Sequence, residues 1–190
     1  NVFQTEINIH KLLYHSNIVP FCESFTRKGI SHILLYPCIN GSLSDLLHKM
    51  NFPIQNKKII IQQVLNGMEY LQNMRVVHRD LKQDNLLFDE RMNLRIGDFG
   101  LAKILKKGEL CYSNCGTTKF KAPEVLRKGG YSFECDIWSL GIIVYRLFLG
   151  TYPFNHKEVR VVEHRILNHR YEFPSYTTEE EKEFIDWILN

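Results

Sequence analysis

The sequence predicts an α+β fold, in which a helix and short strands are followed by a mostly helical mass. Three observations carry this. Apolar residues between 56 and 74 recur at spacings of three and four, the period of a helix with one buried face. Between 76 and 96 they fall instead into brief clusters, too short for helices and suited to small strands. From Asp136 onward the apolar content is dense enough for buried helix, with breaks at Pro153 and Pro174.

At the start of the chain, Val2, Phe3, Ile7, Ile9, Leu12 and Leu13 mark an imperfect helical stripe over 2–14, with Glu6 on another face. Residues 18–25 and 30–36 read as strands about the turn Arg27-Lys28-Gly29. Asn40-Gly41 breaks the chain, and Ser42 is placed to cap a short helix reaching Met50. The helix over 56–74 presents Ile60, Ile61, Val64, Leu65, Met68 and Leu71 as its apolar face. Strands follow at Val76-Val77, Leu86-Leu87-Phe88 and Leu94-Arg95-Ile96. The turn Asp89–Asn93 folds 94–96 back beside 86–88, which brings Asp98 toward Asn85. The most apolar stretch, Ile137–Gly150, contains Arg146 and is too short to span a bilayer, so it reads as a buried helix.

Composition bounds the function. The chain has 190 residues, 44% hydrophobic and 24% charged, enough to bury a core without staples. A net charge of +3, with no run of five like charges, argues against a nucleic-acid or membrane footprint. The cysteines at 22, 38, 111, 115 and 135 form no CxxC pair and no zinc pattern, so free thiols in a reducing compartment are expected. No leader is expected in a sequence that opens in mid-pattern without Met, and the expected location is intracellular, cytoplasm or nucleus.

The polar residues of interest sit on the loops around the central strands. Phosphoryl transfer from a nucleotide needs hard oxygen ligands for magnesium, a carboxylate to take the attacking hydroxyl's proton, and a cation near the transferred group. Asp80, Lys82, Asn85 and Asp98 supply that set on two loops. The segment His78-Arg79-Asp80-Leu81-Lys82-Gln83-Asp84-Asn85, then Asp98-Phe99-Gly100, then Ala122-Pro123-Glu124, resembles the protein kinase family over essentially the whole chain.

The resemblance implies a bilobal kinase fold, with 1–37 as the remaining part of an N-lobe and 38–190 as hinge and mostly helical C-lobe, truncated at its end. It implies ATP and Mg2+ as cofactors and proteins with Ser/Thr acceptors as substrates. Asp80 then acts as proton acceptor, Lys82 neutralises the γ-phosphate, and Asn85 and Asp98 hold the metal ions. Glu6 is similar to the helix glutamate that pairs with a nucleotide-binding lysine. Tyr36 and Cys38 resemble the hinge that binds adenine, with Leu87 as the floor beneath the ring. Asp136 resembles a buried aspartate that braces the catalytic loop. Ser113 is the expected phospho-acceptor for an upstream activating kinase, with Arg79 its partner, and Thr117 is expected to contact Asp80 and Lys82.

Within the family the chain resembles the polo-like kinases through Cys38, Cys115-Gly116-Thr117 and the run Tyr131–Ser139. Pro37, Asp84, Leu87 and Thr118 depart from that pattern, and Asp84 is expected to attract basic residues upstream of the phosphosite. The alternatives are a kinase of calcium/calmodulin-dependent or NIMA-related type, or a non-catalytic kinase-like scaffold. No Gly-rich phosphate loop or nucleotide lysine occurs in these residues, so the expectation is a piece of a longer protein that alone binds nucleotide weakly.

Overall fold

Helices and strands follow the hydrophobic pattern closely in the computed structural model, which describes residues 2–189. The chain divides into two compact units. The first comprises Asn1–His78 with Gln83–Lys106, and the second Arg79–Lys82 with Lys107–Asn190.

The first unit opens with α1 (Val2–His10), which stops short of the expected residue 14. The reason is His10, fully buried, whose Nε2 lies 2.7 Å from the Val19 carbonyl and turns the chain inward. Of the stripe's last two residues, Leu12 is left exposed while Leu13 is buried beyond the helix end. The side chain of Val2 lies outside the described set. Strands β1 (Phe21–Arg27) and β2 (Ile30–Leu35) form an antiparallel hairpin, with Lys28 and Gly29 both at positive φ in its turn.

Next comes α2 (Leu43–Lys49), held by a capping box in which the Ser42 and Asp45 side chains bond each other's backbone N–H. The long helix α3 (Ile54–Asn73) buries Ile60, Ile61, Val64, Gly67 and Leu71. Leu65, expected on that face, points outward instead. Gly67 takes the inward place because a Cβ there would meet Ile96 Cδ1 at 2.7 Å and the Asn17 carbonyl at 3.1 Å. The absent side chain lets α3 lie close against the strand that carries Ile96.

Strands β3 (Val76–Val77) and β6 (Lys103–Ile104) pair antiparallel, as do β4 (Leu86–Phe88) and β5 (Leu94–Ile96). The β4–β5 turn is organised by Asp89. Its Oδ1 accepts from the N–H groups of Arg91 and Asn93, both at 2.9 Å, and its Oδ2 forms an ion pair with Arg95 at 2.9 Å. Leu86, Phe88, Leu94 and Ile96 are buried, so the hairpin is core as well as scaffold.

The second unit is built around α5 (Glu134–Leu149), buried along most of its length and ended by Gly150 at φ 72°. The short α4 (Pro123–Leu126) precedes it, while α6 (Val159–Leu167) and α7 (Glu179–Leu189) follow. Trp138 stacks on Phe154 at 5.9 Å, and Tyr171 meets Phe154 edge-on at 5.5 Å, closing an aromatic core. No helix among the described residues is long and apolar enough to cross a membrane. All five cysteines are free thiols.

Candidate active site

The candidate residues divide between the units, and each set is built locally. In the second unit, the segment Arg79–Lys82 carries Asp80, which is 9% exposed. Its Oδ1 accepts from the Thr117 backbone N–H and from Thr117 Oγ1, both at 2.8 Å. Its Oδ2 is paired with Lys82 Nζ at 2.7 Å, and Lys82 Nζ also donates to Thr117 Oγ1 at 3.0 Å. The contacts expected of Thr117 are therefore present. Burial pushes the Asp80 carboxyl upward, but the bonds from Lys82 and Thr117 outweigh it and hold the group below the usual aspartate range. At neutral pH Asp80 is an anion with defined acceptor directions.

The backbone is set with equal care. Arg79 lies in the left-handed region at φ 67°, a conformation that costs a non-glycine residue about 1–3 kcal/mol unless its surroundings enforce it. Asp136 does so, being buried and accepting from the Arg79 N–H at 2.9 Å. This is the bracing contact expected of it. Gly116 packs from the other side at φ 89°, where a Cβ would overlap the Arg79 carbonyl oxygen. Only glycine fits on both counts.

Arg79 Nη1 donates to Ser113 Oγ at 2.7 Å, which places the two residues that the sequence reading paired side by side. Sequence reasoning missed Tyr131. Its hydroxyl donates to the Ser113 carbonyl at 2.7 Å, and Cys111 and Tyr131 exchange backbone hydrogen bonds. Burial pushes the Tyr131 phenol up to about 12, so it stays protonated and keeps donating. No local pattern could announce a partner so distant along the chain.

In the first unit, Asn85 closes the single helical turn Gln83–Asn85 and is buried, and its carbonyl accepts from the Gly97 N–H at 2.9 Å. Asp98 follows that bond directly, at φ 59°, with Oδ1 accepting from the Gly100 N–H at 3.2 Å. The hairpin thus brings Asn85 and Asp98 together at its open end, as expected. His78 Nε2 lies 2.9 Å from the Gly97 carbonyl, and Phe99 is fully buried against His10 and His78. These contacts fix the backbone on both sides of Asp98.

Glu6 lies near Asp98, since a Cβ on Gly100 would meet Asp98 Oδ1 at 3.2 Å and Glu6 Oε2 at 3.6 Å. Burial first, and then the Asp98 charge, push the Glu6 carboxyl above its usual range. Two carboxylates so placed, with no ion pair to either among the described residues, form a surrounding that a cation would relieve. No group of three or more His, Cys, Asp or Glu among the described residues is arranged to hold a metal. Magnesium takes one or two protein oxygens and completes its shell with phosphate and water. The chemistry of Asn85 and Asp98 is of this kind.

Tyr36 donates its N–H to the Pro20 carbonyl at 3.0 Å. The Cys38 carbonyl accepts from Gly41 at 3.4 Å. The Tyr36 hydroxyl donates to Glu90 Oε1 at 3.0 Å, a tether between hinge and β4–β5 turn that the sequence did not suggest. Leu87 is half-buried on β4 and bridges to Ser42.

Each unit thus carries its own part of the kinase-like motif set: the Asp80 carboxylate bonded to Lys82 in one, Asn85 beside Asp98 in the other. The protein kinase domain family matches residues 1–190, and the chain belongs to it. Over 90% of its length it is 42% identical to the cell cycle serine/threonine-protein kinase CDC5/MSD2 of Saccharomyces cerevisiae, and 40% identical to the serine/threonine-protein kinase polo of Drosophila melanogaster. It is also 43% identical, over 92% of its length, to the probable serine/threonine-protein kinase CCRP1 of Zea mays. The likeness to polo-type kinases expected from the motifs is thus found. The chain spans 25%, 30% and 28% of the lengths of these three relatives.

Proposed function

We propose that this chain carries the catalytic residues of a polo-type protein serine/threonine kinase, which transfers the γ-phosphoryl group of ATP to Ser/Thr hydroxyls of proteins. The observation that carries the reading is the Asp80 carboxylate, ionised and oriented by Lys82 and Thr117. In the reaction Asp80 accepts the proton of the substrate hydroxyl as its oxygen bonds to phosphorus, while the bond from phosphorus to the leaving ADP oxygen breaks. Lys82 exchanges its contact with Asp80 for one with the transferred group, where negative charge is spread over three oxygens. Bound Mg2+, held by the oxygens of Asn85 and Asp98, would neutralise charge on the phosphates. Tyr36 and Cys38 bind adenine through backbone groups, with Leu87 beneath the ring, and Glu6 pairs with a nucleotide-binding lysine.

Ser113 is the site at which an upstream kinase acts. A phosphate there would convert the neutral contact with Arg79 into a charge-assisted pair. Asp84 is exposed and carries a carboxylate beside the catalytic segment, which supports a preference for basic residues near the phosphosite. That preference is also the feature favouring another kinase subfamily as the second reading.

The test is steady-state phosphorylation of a Ser/Thr acceptor by the full-length protein and its Asp80→Asn variant. Loss of the proton acceptor should lower kcat by about 10²- to 10⁴-fold with nucleotide binding retained. Equal rates would remove Asp80 from the proton-accepting role, and no phosphotransfer by the unaltered protein with ATP and Mg2+ would show a scaffold rather than an enzyme.

A further inference from the structure

The second unit carries a groove of about 840 Å³ that the proposed chemistry does not use. It is walled by the end of α5, the 151–155 loop, α6, and the segment 169–174. Its lining is net positive. The cations Arg165 and Arg170 line it beside His164 and His169, and Glu172 is the one carboxylate on the wall among the described residues. Two more cations stand at its margin. Lys119 Nζ and Arg146 Cζ lie over the Tyr152 ring at 5.1 and 5.5 Å, and Tyr152 is itself part of the lining.

The cations are placed by the fold. Arg165 Nη1 donates to the Asn155 carbonyl at 3.0 Å, which fixes its guanidinium along the groove. The Arg170 N–H bonds the Arg165 carbonyl at 2.9 Å, after a left-handed turn at His169 (φ 49°). That turn sends Arg170 back along the α6 end. The Arg170 guanidinium is exposed and has no hydrogen bond or ion pair among the described residues. Such a concentration is local, because the chain as a whole carries only +3.

We infer that this groove is a docking site for an anionic peptide segment of a protein partner, bearing carboxylate or phosphate groups that Arg165 and Arg170 recognise. His164, His169, Arg170 and Glu172 are exposed, so the groove is a solvent-facing trough that suits an extended chain better than an enclosed small ligand. The Tyr152 ring already carries two cations, which disfavours base stacking and therefore a single-stranded nucleic acid. Docking here would raise the local concentration of an acceptor on the same partner.

The experiment measures fluorescence anisotropy of labelled peptides with the full-length protein. One peptide is Glu/Asp-rich, one has phosphoserine in place of those residues, and one is its neutral Gln/Asn counterpart. At least one anionic peptide should bind on the order of tenfold or more tightly than the neutral one, and Arg170→Glu with His164→Glu should abolish that difference. Which anionic peptide binds separates carboxylate from phosphate recognition. Arg170→Lys should retain most of the binding, which separates lost charge from lost folding. Phosphorylation of a short acceptor peptide lacking acidic residues should be unchanged in the double variant. Equal binding of all peptides, retention of the difference in the double variant, or tighter binding of single-stranded RNA or anionic lipid vesicles would overturn the proposal. The site rests on the kinase reading only for its purpose. Anionic peptide binding without phosphotransfer would sink that reading and leave the docking site standing.

Discussion

Asp80 and Glu6 are both carboxylates withdrawn from water, each within its own unit, yet their environments move them in opposite directions. Asp80 meets a lysine, a threonine hydroxyl and a backbone N–H, which together more than offset the cost of burial. Glu6 meets another carboxylate, Asp98, so burial and repulsion act in the same sense. The difference teaches that burial alone does not decide whether a carboxylate stays charged; the partner does. It also separates two kinds of preparation. Asp80 has its counter-charge from a residue already beside it, whereas Glu6 and Asp98 present a negative pair without one among the described residues.

The strongest way to break the Asp80 side is at Gly116. A methyl group there overlaps the Arg79 carbonyl and is strained at φ 89°. Gly116→Ala should cost about 1–3 kcal/mol of stability, and should lower kcat on the order of 10²-fold by displacing Thr117 and Asp80. Thermal unfolding and kinetics of the full-length variant check both. Activity at the level of the unaltered protein would mean that the loop tolerates the shift.

Thr117→Val tests the same carboxylate more gently. It removes the Oγ1 bonds to Asp80 and Lys82 but leaves the backbone N–H bond to Asp80. A loss of roughly 1–1.5 kcal/mol in transition-state stabilisation corresponds to about a tenfold fall in kcat/KM. A larger fall, approaching that of Asp80→Asn, would show that the hydroxyl rather than Lys82 orients Asp80.

Much of this site is legible in the sequence because its parts are close in the chain. The capping box at Ser42, the turn at Asp89–Asn93 and the short strands around it follow from local chemistry, and they deliver Asn85 next to Asp98. What escaped was set by tertiary contact. The end of α1 depends on buried His10 reaching Val19, and the inward face of α3 depends on Gly67 rather than Leu65. Tyr131, Glu90 and the sign of the Glu6 shift likewise depend on neighbours supplied by other elements, which periodicity does not report.

Ser113 offers a smaller effect on the Asp80 side. Ser113→Ala removes both the acceptor of Arg79 and the proposed phosphate, and should lower the activity of the activated full-length protein several-fold, on the order of 1 kcal/mol. Mass spectrometry of the active form should place phosphate at Ser113. Unchanged kinetics with no phosphate there would leave Arg79 a purely structural partner of that loop.

The smallest effect belongs to the other carboxylate, and its sign is the informative part. Glu6 has a folded-state value raised above the usual 4.5. Its contribution to stability is therefore fully present below pH 4.5 and is lost as pH rises through the folded value. Asp80 behaves in the reverse sense: its contribution is present above the usual 3.8 and is lost as pH falls through its lowered folded value. Glu6→Gln in the 190-residue chain should thus raise Tm at pH 7 by a small amount, on the order of 1–2 °C, and the gain should vanish below about pH 4.5. Thermal unfolding at pH 7 and pH 4 measures both. A Tm that falls at pH 7 would show that Glu6 is held by a cation in the folded chain, which would remove the contrast with Asp80.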